Sequence, residues 1–264
     1  MLHQFHREAG LKYDNIVEGL KNIVWGLFKK VVIADRLSEY VNIVYANPHD
    51  FHGTQLLIAT IFFSFQIYCD FSGYSSIAIG TAKILDIKLM VNFNRPYLSQ
   101  NIREFWHRWH ISLSTWFRDY LYFPLGGSRV PMYRGYLNTF IVFLVSGLWH
   151  GANWTFVIWG ALHGFYQIFG KVTQPARDKA NSFLGLTRLP SLLKFSQIVI
   201  TFILAAFAWI FFRATSFDDA MYIVRHIFQF DSTLNLNLFE FKIDMYLSIL
   251  LIILLFVIDI LEEK

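Results

Sequence analysis

Residues 136–170 are almost uninterruptedly apolar, yet the run carries SGLWHGAN at its centre, with two glycines, a histidine and an asparagine. A stretch this apolar belongs in a bilayer, where every backbone N–H and C=O must find a partner inside the protein. Irregular backbone at that depth survives only where protein buries it or a cavity hydrates it. The run therefore predicts a broken helix, a re-entrant or kinked pair with arms of roughly 14 to 17 residues, short of the usual span of twenty. Composition agrees. Of the 264 residues 55% are hydrophobic and 16% charged, against about 25% charged in soluble chains. The expected fold is all-α, a polytopic transmembrane helical protein with re-entrant or broken helices, and residues 1–264 read as a single membrane domain.

Other segments follow from the same reasoning. Residues 21–34, interrupted by Lys29 and Lys30, predict an interfacial or partly inserted helix whose lysines snorkel. Residues 55–85 predict a transmembrane helix that carries Asp70 and several small residues in its second half. Residues 86–100 read as a polar connection. Residues 101–123 predict one amphipathic helix, with Arg103, His107, His110, Ser114 and Arg118 at steps of three or four on a shared face; Pro124, Gly126 and Gly127 end it. Residues 171–194 read as a basic loop, residues 195–212 as a span, residues 217–230 as a short amphipathic piece and residues 245–260 as a final apolar helix.

Charge bears on sidedness and partners. The loop at 171–194 holds Lys171, Arg177, Lys179, Arg188 and Lys194 against Asp178, which places it in the cytoplasm by the positive-inside rule. The stretch from Lys83 to Arg134 leans the same way. The net charge of +4 is spread over such loops and forms no stripe, so nucleic-acid binding is not expected. The single cysteine, Cys69, allows no intrachain disulfide and reads as a small buried apolar residue. The first 14 residues are too polar for a signal peptide, so insertion is expected to rest on internal segments. No internal repeat supports a repeat-built transporter.

Ionisable side chains at membrane depth are costly and usually face a cavity or a partner, which directs attention to Asp70, His107, His110, His150 and His163. A lone membrane histidine is commonly just a helix-to-helix hydrogen-bonding group, and His107 and His163 read that way. His150 stands apart: Gly147 and Gly151 let other backbone or a ligand approach, and Trp149 and Trp154 flank it. An imidazole in such a walled pocket could take a proton from an alcohol. Glu104, His107 and His110 have a spacing that metal ligands use on one helix face. The other histidine pairs, His3 with His6 and His49 with His52, lie in polar segments, so no metal site is expected. No GxSxG elbow, P-loop or dinucleotide fingerprint is present. Ser112 and Ser114 read as helix-surface or backbone-bonding serines.

Two strings, FWHRWHISLSTWFRDYLYFPLGG (105–127) and FLVSGLWHGANWTFVIWGALHG (143–164), together with YCDFSGYSSIAIG (68–80), resemble the membrane-bound O-acyltransferase family. The similarity is to its bacterial branch, which includes the alginate O-acetyltransferase membrane subunit and the teichoic-acid D-alanyl transferase. The resemblance implies that His150 is the catalytic base acting on an acceptor hydroxyl, and that His110 orients a substrate or polarises the acyl carbonyl. It also implies a tunnel that admits the donor from the cytoplasmic side and the acceptor from outside. Asp70, His107, Ser114, Trp149, Asn153 and His163 are the tunnel-lining or substrate-lining positions expected beside them.

By the same resemblance no bound cofactor is expected, and the donor is acetyl-CoA or a carrier-protein thioester. Partners are a polysaccharide acceptor such as alginate, or an extracytoplasmic acetyl-relay protein, together with the lipid bilayer; the location is the inner, cytoplasmic membrane, crossed several times. Many relatives carry an acidic residue where this chain has Ser76, and relatives extend further at both ends, so the chain reads as part of a longer membrane domain. D-alanyl transfer to teichoic acid is the alternative within the family. A non-enzymatic transporter, suggested by the broken helix and Asp70, is the alternative outside it.

Overall fold

The computed structural model describes Gln4, residues 10–229 and residues 242–263. The His3–His6 pair and residue 230 lie outside them. The described residues are helical and contain no strand, as bilayer burial of the backbone demands. Among the described residues three helices are long and apolar enough to cross a membrane: Thr54–Ile84, Pro190–Arg213 and Asp244–Glu263. The chain divides into two compact units. The first comprises Met1–Ile43, Ile61–Asn92 and Asn235–Ile258; the second comprises Val44–Thr60, Phe93–Leu234 and Asp259–Lys264.

In the first unit α1 (Tyr13–Leu27) continues through a π-helical segment, Phe28–Ala34, into α2 (Asp35–Ala46). It packs on α3 (Thr54–Ile84) through glycines seven residues apart on each helix. A Cβ on Gly26 would stand 2.5 Å from the Gly73 carbonyl, and one on Gly80 would strike that of Gly19, so small residues let the two backbones touch. The π segment also corrects the expected snorkelling of Lys29. That side chain is buried, and its Nζ donates to the Ser72 carbonyl at 3.1 Å and to Ser76 Oγ at 2.9 Å. An ammonium that finds acceptors on the adjoining helix has no need to reach water. Lys30 pairs instead with Asp35 and Asp70, each at 2.7 Å.

In the second unit the single helix expected over 101–123 is broken. Asn101 caps α4 (Ile102–Arg108), accepting from Glu104 N at 2.9 Å. Trp109 is then extended, and His110 takes a left-handed backbone with φ of 42° before α5 (Ile111–Phe117) and a π-helical turn, Arg118–Tyr122. The five polar residues therefore do not share one face, and the Glu104, His107, His110 spacing loses its helical register. The cause is tertiary. Trp109 is pulled into an aromatic core against Phe93, Tyr97, Phe105 and Trp209, and burying an indole outweighs continuing a short helix.

The broken apolar run is a hairpin of α6 (Met132–His150) and α7 (Trp154–Val172). Each arm has 19 residues, about 28 Å at 1.5 Å per residue, longer than expected because both helices extend beyond the apolar run. They are antiparallel and close-packed: a Cβ on Gly147 would strike the Phe156 carbonyl, one on Gly160 that of Phe143, and one on Gly164 the Phe140 ring at 2.9 Å. The basic stretch expected as a loop is also helical, with α8 (Gln174–Phe183) entered through a proline in its first turn and α9 (Pro190–Arg213) already begun at Pro190. None of α8 is buried, and Arg177 ties it to the end of α7 by donating to the Gly170 carbonyl at 2.6 Å. In α10 (Phe217–His226) the Ser216 side chain accepts from Asp219 N at 3.1 Å as the cap. α11 (Lys242–Glu263) closes the described chain.

Candidate active site

His150 is the last residue of α6, where the hairpin turns. Gly151 follows because the turn lies against Phe156: a Cβ there would meet that ring at 2.7 Å. Asn153 starts α7 by accepting from Thr155 N at 3.2 Å, and its Nδ2 donates to the Thr215 carbonyl at 3.0 Å. That bond ties the apex of the hairpin to the end of α9, which delivers Phe212. The imidazole of His150 sits among four rings, with Trp149 at 4.9 Å, Trp159 at 5.1 Å, Phe212 at 5.1 Å and Phe156 at 6.3 Å between centroids.

His110 reaches the same place from the α4–α5 break. It is half-buried. Burial first, and then the neighbouring His150, push its pKa down to about 4, so His110 is a neutral imidazole between pH 5 and 8. Two histidines 40 positions apart in sequence are thus brought within electrostatic range. The environment of His150 is aromatic, where a hydrogen bond or a partial charge counts for more than in water.

His163 lies one layer deeper and is fully buried. Trp106 Nε1 donates to its Nδ1 at 3.2 Å, which assigns the proton to Nε2. Nε2 has no hydrogen-bond partner among the described residues and is surrounded by the rings of Phe105, Trp106, Phe143, Trp159 and Trp209. Trp159 stands between the two histidines, touching both. The remaining candidates scatter. His107 is exposed, Trp149 is exposed beside His150, and Ser114 Oγ turns back to the Trp109 carbonyl at 3.4 Å. Asp70 belongs to the first unit, where Lys30 holds it. Among the described residues no three His, Cys, Asp or Glu side chains gather as metal ligands.

The family model for membrane-bound O-acyltransferases matches residues 11–214, which include every one of these side chains. The chain belongs to the membrane-bound O-acyltransferase family. It is 42% identical over 217 residues to the probable alginate O-acetylase of Pseudomonas aeruginosa, covering 82% of this chain and 39% of that protein. It is 41% identical over 215 residues to a peptidoglycan O-acetyltransferase of Helicobacter pylori, covering 81% and 39%. A teichoic acid D-alanyltransferase of Bacillus subtilis is 30% identical over 217 residues, covering 77% and 52%. The chain spans about two fifths of the length of the first two relatives.

Reading the residues of this family member one at a time misses the walls of the site. Trp159 and His163 are four apart on α7 and share a face, so helical spacing alone could have paired them. Phe212, Thr215 and Trp106 carry no such signal, because each reaches the site only through the packing of α9 or α4 on α7.

Proposed function

We propose that this protein is a membrane O-acyltransferase that moves an acetyl group from a thioester donor to a hydroxyl of an exported polysaccharide, or of a relay partner, with His150 as the base. The observation that carries this reading is the placing of His150 at the apex of the α6–α7 hairpin, walled by Trp149, Phe156, Trp159 and Phe212 and within electrostatic range of His110. A basic imidazole nitrogen of His150 accepts the proton of the acceptor hydroxyl as its oxygen attacks the thioester carbonyl. The tetrahedral adduct then collapses, the C–S bond breaks, and the departing sulfur takes the proton back from the imidazolium. His110 donates a hydrogen bond to the acyl oxygen and steadies its developing charge. Proton transfer of this kind is worth about a hundred- to ten-thousand-fold in rate.

Acetyl is favoured over D-alanyl as the group transferred because the acetylating relatives are the more similar, at 41–42% against 30% identity. Those relatives are named for alginate and peptidoglycan, which supports a cell-envelope glycan as acceptor and acetyl-CoA or a carrier-bound thioester as donor. The antiparallel hairpin returns the chain to the side from which it entered. This supports both basic stretches lying in the cytoplasm, with the bacterial inner membrane as the location. Asn153 and Trp149 border the enclosure, and His163 and Trp159 form its floor.

The test is O-acetylation of surface polysaccharide in cells that express the protein with His150→Ala. Acetyl content at the vector-only level is expected, and full acetylation would remove the proposed base. A transporter would instead carry solute through proteoliposomes and ignore acetyl-CoA.

A further inference from the structure

The backbone that presents His110 is strained at one end and clasped at the other by residues far away in sequence. Arg95 and His110 are both left-handed without being glycine, with φ of 46° and 42°. Such conformations cost free energy and persist only where the surroundings over-determine them. The segment between them is closed into a loop by Asn94 N donating to the Arg108 carbonyl at 2.9 Å. The side chains of both arginines then converge on one carboxylate at the end of α11. Arg108 forks onto Glu263 through two bonds of 2.9 and 2.8 Å, and Arg95 Nη1 reaches the same group at 3.1 Å. Glu104 also meets Arg108, at 2.8 Å, while Glu262 lies 3.7 Å from Arg95 Nε. A bidentate guanidinium–carboxylate pair fixes orientation as well as distance, and this one holds the last residue of α4, two positions before His110.

We propose that Glu263 is a positioning residue: through Arg108 and Arg95 it holds the 94–108 loop closed and so keeps His110 in the left-handed conformation that turns its imidazole toward His150. The inference rests on the proposed function for its catalytic consequence, but not for its structural one. Glu263 lies outside the residues matched by the family model, and sequence spacing gives no hint of a tie across 155 positions.

The experiment compares Glu263→Gln, which keeps the shape and removes the charge, with Glu263→Asp, which keeps the charge, in bilayers of bacterial lipid. The readout is the Cα and Cβ chemical shifts of 13C-labelled His110 by solid-state NMR. Glu263→Gln is expected to move them out of the left-handed range, and Glu263→Asp to retain them. Left-handed shifts unchanged in Glu263→Gln would overturn the proposal. In the same samples kcat for acetyl transfer from acetyl-CoA is expected to fall about tenfold or more in Glu263→Gln, with KM for acetyl-CoA unchanged. Shifted His110 resonances with an undiminished kcat would overturn the catalytic half. The function itself fails on a different result, activity that survives His150→Ala, whatever the His110 shifts report.

Discussion

Trp106 donates its indole N–H to Nδ1 of His163 across 3.2 Å, inside a layer of rings that buries both side chains. The pair joins α4 to α7, and Trp159, which meets both rings edge to face, lies between it and His150. Breaking one half strands the other. Trp106→Phe removes the donor and leaves a buried imidazole nitrogen unsatisfied, which costs about 1–3 kcal/mol. The double variant Trp106→Phe, His163→Phe replaces both polar groups with apolar rings, so it is expected to be less destabilised than the sum of the single variants. Thermal unfolding of the four proteins in one detergent measures the coupling; strict additivity would show that the bond contributes nothing.

The hairpin depends on glycine where its backbones meet. Gly160→Ala places a methyl group on the Phe143 carbonyl, an atom that can retreat only if α6 moves. Overpacking of this kind costs about 1–3 kcal/mol, and the displaced α6 carries His150. Less monodisperse protein after solubilisation and a lower melting temperature are expected, whereas Gly170→Ala, which meets nothing within 4 Å, serves as the silent control.

His110 makes stability depend on pH in a definite direction. Its pKa in the folded chain is about 4 against an ordinary 6.5, chiefly through burial. In the window between these values the unfolded chain binds a proton that the folded chain refuses. Stability is therefore fully present above 6.5 and declines as pH falls toward 4. Replacing His110 with Gln removes this contribution, so the melting temperature of that variant is expected to fall less steeply between pH 6.5 and 4 than that of the parent. Equal slopes would contradict the burial of the ring.

Lys29 gives a fourth measurement, in the first unit. Ser76→Ala deletes the hydroxyl acceptor of its buried ammonium, and hydrogen bonds to charged groups contribute about 1.5–3 kcal/mol. A melting temperature several degrees lower is expected for Ser76→Ala and a smaller loss for Ser76→Thr, which keeps a hydroxyl. Indifference to both would mean that the Ser76 hydroxyl contributes nothing to holding the lysine.

The amino-acid order alone carries the helical membrane class, the placing of the long apolar helices and the break at SGLWHGAN. Those features follow from local chemistry: the backbone must be satisfied at depth, and glycine, asparagine and histidine interrupt an apolar run wherever they fall. It also brought His150 and His110 forward, by their surroundings and by family resemblance. Whatever depends on what a residue meets came from packing between distant segments. Residues 101–123 have the periodicity of one helix, but the burial of Trp109 breaks it one residue before the left-handed His110. Lys29 looks like a snorkelling lysine until the π segment sets it against Ser72 and Ser76. Phe212 becomes a wall of the site, and Glu263 a clasp for it, only because distant helix ends meet. Periodicity records which face of a helix is apolar, whereas the partner of that face is chosen by packing among helices far apart in the chain.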